Sequence, residues 1–391
     1  MDRRRFLALA AAVPIAGVLP GLAANVAIAA APAGADYRRR LVLIELKGGN
    51  DGLNTLVPYA SPAYYALRPK LAIARDQVLK LSDAAGLHPA LEPLLPLWRS
   101  GGLAVIQGVG YPAPNLSHFR SIEIWDTASA SDEYLPNGWL TRTFALSPTP
   151  STFAADGVII GSADLGPLSG GGTRAIALAS TEQFLRRSRY ATAEGSARNE
   201  ALRHILKVEA DIIQAAARLK GDRAFKTAFP QGAFGTAIQT ACQVLANNSG
   251  VAVVRVTQNG YDTHSGQAAT QARLLGELAH GVVALKGALD ELDQWNDTLV
   301  LTYAEFGRRP KENLSGGTDH GTASVHFALG GRVAGGLYGE QPLLDRLSGD
   351  GNTGFAIDFR SVYATALERW WNVPPTGPLG GAFKPLSILR A

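Results

Sequence analysis

The chain has 391 residues, of which 46% are hydrophobic and 18% charged, and its formal net charge is +4. This composition excludes a disordered chain, because enough apolar residues are present to form a sizeable core. Basic residues are not interleaved with aromatic ones in a stripe, so we expect no nucleic-acid partner. Cys242 is the single cysteine, which excludes an internal disulfide.

Residues 1–33 have the pattern of an export signal. Consecutive arginines precede Phe6-Leu7, an apolar run and small residues suited to cleavage. Arg-Arg-x-Phe-Leu resembles the twin-arginine signal, so we expect the twin-arginine export machinery as a partner and a periplasmic or secreted location. The alternatives are a general secretory signal and an uncleaved membrane helix. Pro14 and Gly17 interrupt the apolar run, and we therefore expect no stable membrane anchor.

The first predicted strand of the mature chain ends beside a carboxylate. Leu41 to Leu46 is an apolar run typical of a buried parallel strand, and Gly48-Gly49 and Asp51 follow it. Open α/β sheets bind ligands at the carboxyl ends of their strands. Asp51 is therefore a candidate metal ligand, and the alternative is a polar turn capped by this residue.

The second predicted strand, 103–106, leads through a glycine-containing loop to Ser117 and His118. The pattern becomes helical from Ser117 onward. Backbone N–H groups and the helix dipole at such a position stabilise an oxyanion or a phosphate. Ser117 is a candidate nucleophile and His118 a candidate catalytic residue, while the alternative for Ser117 is a helix N-cap.

Three further polar clusters follow predicted strands. Strand 251–256 is followed by Asp262 and His264, which can point at one cation or cap the next helix. Strand 297–303 is followed by Glu305 and Arg308, and Arg308 is a candidate for binding an anionic group. A polar loop over 311–318 then precedes Asp319 and His320, and a fifth strand is predicted over 325–330.

The remaining elements complete one predicted domain over residues 37–391. Helices are expected over 89–99, 193–226 and 266–292, with a last helix that runs through Trp370-Trp371, and a further strand is expected over 157–160. No internal repeat or low-complexity linker separates them. The sequence therefore predicts a single α/β domain with a mostly parallel central sheet and helices on both faces.

Six motifs together resemble a known family over nearly the whole mature chain. This family is the exported bacterial domain of unknown function 1501. The motifs are the Arg-Arg-x-Phe-Leu start, Gly48-Gly49-Asn50-Asp51-Gly52, Ser117-His118-Phe119, Asp262-Thr263-His264, Glu305-Phe306-Gly307-Arg308 and Asp319-His320-Gly321.

The order of these motifs is in turn similar to that of the alkaline phosphatase and sulfatase superfamily. This resemblance implies an alkaline-phosphatase-like fold with one or two divalent cations, such as zinc, manganese or calcium. Asp51 and Glu305 would hold one cation, with Ser117 bridging as nucleophile. Asp262, His264 and His320 would hold the other.

The sequence departs from the superfamily pattern at two points. Phe306 follows Glu305 where a histidine is usual, so the first cation lacks a ligand unless Asp319 or His118 supplies it. Asp262 and His264 are closer together than usual. A Cys-x-Pro-x-Arg signature is absent from the sequence, which argues against a sulfatase that uses formylglycine.

Two classes of function remain. The first is an exported metal-dependent hydrolase or transferase that acts on a small anionic ester, a phosphate or a sulfate. The second is a non-catalytic exported protein that keeps the fold and binds a glycan or an envelope partner. The missing histidine beside Glu305 favours the second class, while the remaining polar residues together favour the first.

Overall fold

The computed structural model describes residues 34–178, 223–247 and 250–390. The described residues form one compact unit. The predicted export signal and most of the predicted helix over 193–226 lie outside the described residues. Within the described ranges, no helix combines the length and the apolar character that crossing a membrane requires.

The described strands are short, and nine of them form one central sheet. In chain order they are β1 (Arg40–Lys47), β2 (Leu56–Val57), β3 (Leu79–Lys80), β4 (Gly86–Leu87), β5 (Leu103–Gly110), β6 (Gly157–Ile160), β7 (Ala175–Leu178), β8 (Val253–Asn259), β9 (Thr298–Tyr303), β10 (Gly307–Arg308), β11 (His320–Gly321), β12 (Ser324–Leu329), β13 (Gly336–Tyr338) and β14 (Ile357–Asp358). The spatial order in the sheet is β13-β5-β12-β9-β1-β8-β6-β7, with β14 also paired to β5.

The register of the central strands gathers four loops at one edge. β1 is parallel to β8 and to β9, with Lys47 opposite Asn259 and Glu45 opposite Tyr303. β12 is antiparallel to both β9 and β5, so β5 points the same way as β9. The loops after β1, β5, β8 and β9 therefore leave from one edge. β12 enters from that same edge, which brings the preceding His320 there as well.

Helices cover both faces of the sheet. They are α1 (Gly52–Thr55), α2 (Pro62–Leu67), α3 (Leu95–Arg99), α4 (His118–Thr127), α5 (Trp139–Leu146), α6 (Ala233–Ala246), α7 (Gln267–Glu291), α8 (Phe359–Ala364) and α9 (Thr376–Leu379), with 3₁₀ turns at Pro89–Leu94, Gly166–Leu168 and Trp295–Asp297 and a π-helical turn at Thr365–Trp370. Alternate residues of β1 pack on opposite faces: Val42 lies in the core cluster with Leu278 of α7, and Leu43 lies in the cluster with Trp125 of α4.

The predicted fold class is confirmed, because the sheet is mostly parallel and has helices on both faces. The fifth predicted strand forms as β12, but it is antiparallel to its neighbours. The helix predicted over 89–99 is divided into a 3₁₀ turn and the five-residue α3, because Pro93 and Pro96 interrupt it. The long helix predicted over 266–292 matches α7.

Candidate metal centre

The carboxyl edge of the sheet brings together side chains from four separate segments. His118 is the first residue of α4, and Asp262 lies in the loop after β8. Glu305 follows β9, and His320 begins β11. Ligand atoms of His118, Asp262 and His320 all lie within 4.8 Å of one another. This trio is the candidate metal centre.

His118 is oriented by a buried carboxylate. Its Nδ1 atom lies 2.9 Å from Oε1 of Glu305, and Nε2 lies 3.4 Å from Oδ2 of Asp262. An ionised carboxylate only accepts hydrogen bonds, so Nδ1 carries the proton and Nε2 faces the centre. The hydrogen bond with Glu305 raises the pKa of His118.

His320 is held in the same way by a backbone carbonyl. Its Nδ1 atom donates to the carbonyl oxygen of Leu116 at 2.8 Å. Burial lowers the pKa of His320, which favours the neutral ring. With its proton fixed on Nδ1, the neutral ring presents the Nε2 lone pair 3.2 Å from Oδ1 of Asp262. Metal-binding histidines have this arrangement, in which the second nitrogen is anchored by an acceptor.

Asp262 is the shared carboxylate of the trio. Burial raises the pKa of Asp262, but the hydrogen bond and the charge of Arg308 outweigh that effect and hold the pKa at about 2. Nη2 of Arg308 lies 2.6 Å from Oδ1. The side chain is 46% exposed, so its remaining lone pairs are accessible from solvent.

His264 extends the cluster on its open side. Its Nε2 atom lies 3.0 Å from Oδ1 of Asp262 and 3.0 Å from Nε2 of His320. Its Nδ1 atom lies 3.4 Å from Oδ1 of Asp319. Asn313 donates to both the carbonyl of His264 and the carboxylate of Asp319, and its hydrogen bond to Asp319 is the main cause of the lowered pKa of that carboxylate. Asp319 therefore touches the cluster through His264.

The donor atoms fit a small divalent cation. Around a tetrahedral zinc ion with bonds of about 2.0–2.1 Å, neighbouring ligand atoms lie about 3.3 Å apart. Nε2 of His264, Nε2 of His320 and Oδ1 of Asp262 lie 3.0, 3.0 and 3.2 Å apart, and Nε2 of His118 lies 3.4 Å from the other oxygen of Asp262, Oδ2. Imidazole nitrogen suits zinc, whereas manganese and calcium prefer oxygen ligands.

Glu305 lies beside this centre and contacts His118. Oε1 accepts hydrogen bonds from the backbone N–H of Gly48 at 2.9 Å and from His118. Oε2 is buried and has no hydrogen-bond partner among the described residues. The contacts of Oε1 point to a role in orienting His118, and the expected role of Glu305 as a direct ligand stays a prediction. Phe306 packs its ring 4.9 Å from the ring of His118 and 4.4 Å from that of His320.

Asp51 lies apart, in a buried ion pair. Arg68 contacts both carboxylate oxygens, at 2.5 and 3.1 Å, and neither side chain is more than 1% exposed. The backbone N–H groups of Leu53 and Asn54 and the side-chain amide of Gln267 donate to the same carboxylate. Every lone pair in good geometry is thus engaged. The structure therefore does not support the expected role of Asp51 as a metal ligand, and we leave it out of the candidate set.

Arg308 is equally engaged. Its guanidinium donates to the carbonyls of Gly48, Gly49, Tyr261 and Thr318 and to Asp262. It is buried and fastens the loops after β1, β8 and β10 to one another. The side chain is fully buried and all of its N–H groups except one on Nη1 have acceptors, so the expected role in gripping an anionic substrate stays a prediction. Arg308 positions Asp262.

Ser117 is the N-cap residue of α4 but does not cap it with its side chain. Its hydroxyl makes no capping hydrogen bond within the described part of the chain, and its backbone N–H donates to Oδ1 of Asn115 at 2.9 Å. The residue is exposed and adjoins His118. The capping alternative is thus not observed, and the hydroxyl stays accessible.

Sequence reasoning missed the residues that decide these roles. Arg68 and Gln267 neutralise and bond Asp51, although they lie 17 and 216 positions away from it in the chain. Arg68 lies in a stretch rich in proline and tyrosine whose local pattern carries no sign of an ion pair. The carbonyl of Leu116 is a backbone group, which no sequence pattern identifies.

The chain is similar in fold to several solved structures. The alkaline phosphatase from the Antarctic bacterium TAB5 is 12% identical, with 77% of this chain and 94% of that chain covered and a TM-score of 0.36. The lipoteichoic acid synthase LtaP from Listeria monocytogenes is 8% identical, with 78% and 68% covered and a TM-score of 0.35. The C-terminal periplasmic domain of EcEptC from Escherichia coli, in complex with zinc, is 9% identical, with 75% and 72% covered and a TM-score of 0.35.

These likenesses are too distant to carry information about activity. A search of curated proteins finds no significant match. The family described as "Protein of unknown function (DUF1501)" matches residues 84–373, which is most of the chain and includes all of the candidate metal centre. The match confirms the resemblance predicted from the motifs, and the chain therefore belongs to the DUF1501 family.

Proposed function

We propose that this protein is an exported, metal-dependent hydrolase or transferase of phosphate or sulfate esters. The observation that carries the proposal is the convergence of His118, Asp262 and His320, whose ligand atoms lie within 4.8 Å of one another. Both histidines have their Nδ1 atoms anchored by acceptors, so that Nε2 is presented to a common point. Hydrogen bonding alone would not require two histidines and a carboxylate from three separate segments at one position, whereas a bound cation would.

The chain's own residues would divide the work as follows. His118, Asp262 and His320 would hold the cation, with His264 as a further donor beside Asp262 and His320, and zinc suits these donors better than manganese or calcium. Glu305 and the carbonyl of Leu116 orient the two anchored rings. A divalent cation bound here would supply Lewis-acid polarisation of the ester and would lower the pKa of a nearby hydroxyl.

Ser117 is the proposed nucleophile. Its hydroxyl is exposed, adjoins His118 and is not used to cap α4. The N-terminus of α4, which is ten residues long, also favours negative charge on a neighbouring oxygen. The hydroxyl would lose its proton and attack the phosphorus or sulfur atom, the bond from that atom to the ester oxygen would break, and the alcohol would leave with a proton. Water or an acceptor alcohol would then take the phosphoryl or sulfuryl group from Ser117.

Export is proposed from residues 1–33 alone. The signal directs the folded protein through the twin-arginine machinery into the periplasm or out of the cell. Replacing Arg3 and Arg4 by lysine is expected to keep the full-length precursor in the cytoplasm, as followed by fractionation and immunoblotting. Normal export of that variant would contradict the twin-arginine route.

A non-catalytic binding protein is the second candidate, and two observations favour it. Asp51 is held by Arg68, and Arg308 is fully buried with most of its donors used on carbonyl groups, so neither is exposed to bind a second cation or an anion. Under this alternative the metal, if bound, would be structural. The two candidates differ in whether any ester is turned over.

The experiment is an ester panel with matched histidine variants. Purified protein loaded with zinc or manganese is assayed on 4-nitrophenyl phosphate, bis(4-nitrophenyl) phosphate and 4-nitrophenyl sulfate, before and after chelation. Metal-dependent turnover of at least one ester is expected, with loss in His320→Ala and retention in His280→Ala, whose histidine is exposed on α7. Turnover that survives both chelation and His320→Ala would contradict the proposal.

A further inference from the structure

A short polar loop lies against the open side of the candidate metal centre. It comprises residues 313–319, between β10 and β11, and we call it the Asn313 loop. Its only charged residue is Asp319, whose Oδ1 atom lies 3.4 Å from Nδ1 of His264. His264 is the most exposed of the three histidines of the cluster. The loop therefore reaches the centre through the histidine that the rest of the protein covers least.

The Asn313 loop is fastened along the segment that carries His264. The backbone N–H of Thr318 donates to the carbonyl of Thr263 at 3.2 Å, and that of Gln267 donates to the carbonyl of Gly316 at 3.0 Å. These hydrogen bonds lie on either side of His264 in the chain. They hold the two segments in one alignment.

Gly317 allows the two segments to approach so closely. A Cβ atom at this position would lie 2.3 Å from the carbonyl carbon of His264 and 2.3 Å from the carbonyl oxygen of Thr263. Both are backbone atoms, so they cannot turn aside as the end of a flexible side chain can. Any side chain at position 317 would therefore push the loop away from His264.

The side chain of Asn313 makes all four hydrogen bonds that a primary amide can make. Its Nδ2 atom donates to the carbonyl of His264 at 2.9 Å and to Oδ1 of Asp319 at 3.2 Å. Its Oδ1 atom accepts from the backbone N–H groups of Ser315 and Gly317, at 2.9 and 3.0 Å. One amide thus fixes both the backbone of His264 and the carboxylate that faces its ring.

The ring of His264 has Asp319 at one nitrogen and the metal centre at the other. Its Nε2 atom lies 3.0 Å from Oδ1 of Asp262 and 3.0 Å from Nε2 of His320. A proton on Nδ1 that is donated to Asp319 leaves the Nε2 lone pair facing the position of a cation. The other two histidines of the centre have the same arrangement with acceptors of their own.

The pair of His264 and Asp319 would hold the ring only weakly without the loop. The two side chains are 46% and 54% exposed, and exposed pairs contribute little because two side chains must be kept in one geometry. Asn313 restricts both partners at once, so less conformational entropy remains to be lost when a ligand binds. The ring is thereby oriented before a cation arrives.

We propose that Asn313 and Asp319 are positioning residues that orient His264 as a ligand of the metal centre. Asp319 acts on Nδ1 of the ring and does not itself bind the cation. The inference rests on the metal centre of the function proposed above. It concerns how the cation is held, and it is independent of which ester is turned over.

The test is a double-variant cycle that is read out as zinc affinity. Dissociation constants are measured by competition with a chromogenic chelator for wild type, His264→Ala, Asp319→Ala and the double variant. Each single change is expected to weaken zinc binding about tenfold or more. The double variant should bind zinc no more weakly than His264→Ala does, because Asp319 acts through the ring. If Asp319 is itself a ligand, Asp319→Ala should weaken binding further even when His264 is already replaced.

Two loop variants and a control show whether the loop is the cause. Asn313→Ala and Gly317→Ala keep every donor atom of the centre and should each weaken zinc binding, but only while His264 is present. Ser315→Ala removes an exposed hydroxyl from the same loop and should bind zinc as wild type does. Thermal unfolding of the zinc-free proteins identifies the variants that fold. Asp319→Ala changes an exposed side chain and keeps the test valid if Gly317→Ala does not fold.

Two results would overturn the inference while zinc still binds to wild type. One is a further loss of affinity in the double variant, and the other is wild-type affinity in a folded Asp319→Ala, Asn313→Ala or Gly317→Ala protein. A wild type that binds no zinc would refute the metal centre and this inference together. Coupling between Asp319 and His264 in a protein that turns over no ester would support the inference and refute the proposed ester chemistry alone.

Discussion

Asp51 and Asp262 follow neighbouring parallel strands, yet the structure gives them opposite surroundings. Asp51 is 1% exposed and fully bonded by Arg68, by Gln267 and by two backbone N–H groups. Asp262 is 46% exposed and shares one oxygen with Arg308, while the other faces His118. A carboxylate at a strand end thus becomes structural or available depending on whether an arginine satisfies both of its oxygens.

The two arginines explain the difference. Arg68 meets its carboxylate with two nitrogens, in the bidentate arrangement that gives the strongest pairing. Arg308 spends most of its donors on backbone carbonyls and reaches Asp262 with one nitrogen. Asp262 therefore keeps free lone pairs, and we expect any chemistry to take place beside Asp262 and not beside Asp51.

The largest expected effect concerns Ser117. If the reactive side is the one at Asp262 and His118, Ser117→Ala should lower kcat on the best ester by about three orders of magnitude or more, as loss of a nucleophile does. The melting temperature should change little, because the hydroxyl makes no capping bond in the described residues. Steady-state kinetics and thermal unfolding measure both. Near wild-type kcat in Ser117→Ala would leave a water molecule as the attacking group.

The next effect concerns stability at Asp51. Asp51→Asn keeps an oxygen for the backbone N–H groups of α1 but leaves the buried Arg68 without its counter-charge, which should cost about 3–5 kcal/mol in the free energy of unfolding. Urea denaturation measures the loss. The double variant Asp51→Asn/Arg68→Met should lose less than the sum of the two single variants. A single-variant loss below about 1 kcal/mol would show that the pair is not the structural element described here.

Glu305 is expected to have an intermediate effect through His118. Glu305→Gln removes the charge that fixes the Nδ1 proton of His118, and the affinity for zinc should fall about 10–100-fold. The pKa of His118, followed by NMR in the metal-free protein, should also fall, because its hydrogen bond with Glu305 is what raises it. If both the zinc affinity and the pKa of His118 are unchanged, Glu305 does not position His118.

The smallest effect is the acid dependence of the Asp262–Arg308 pair in the metal-free protein. Arg308 holds the pKa of Asp262 at about 2, below its ordinary value of 3.8. The pair therefore stabilises the fold above about pH 4, and this contribution disappears as the pH falls towards 2. Because the carboxylate is half-exposed, we expect less than about 1 kcal/mol. The stability gap between wild type and Asp262→Asn should shrink on acidification, and a growing gap would contradict the assignment.

The strand-end pattern predicted which loops meet, but not what each side chain does there. Apolar runs such as 41–46 and 297–303 gave the central strands, and parallel pairing then requires their following loops to share an edge. The shared edge predicted that Asp262, His264, Glu305 and His320 lie near one another. It could not separate Asp51 from them, because the contacts of Arg68 and Gln267 depend on packing between distant segments. It also could not show that Arg308 spends its donors on carbonyl groups.

Metal stoichiometry in two aspartate variants tests the central claim most directly. Purified wild type, Asp262→Asn and Asp51→Asn are loaded with zinc, dialysed at a temperature where all three are folded, and analysed by mass spectrometry. We predict one zinc ion per chain in wild type and in Asp51→Asn, and a loss of bound zinc in Asp262→Asn, with His280→Ala as the matched control. Zinc retained by Asp262→Asn but lost from Asp51→Asn would contradict the account.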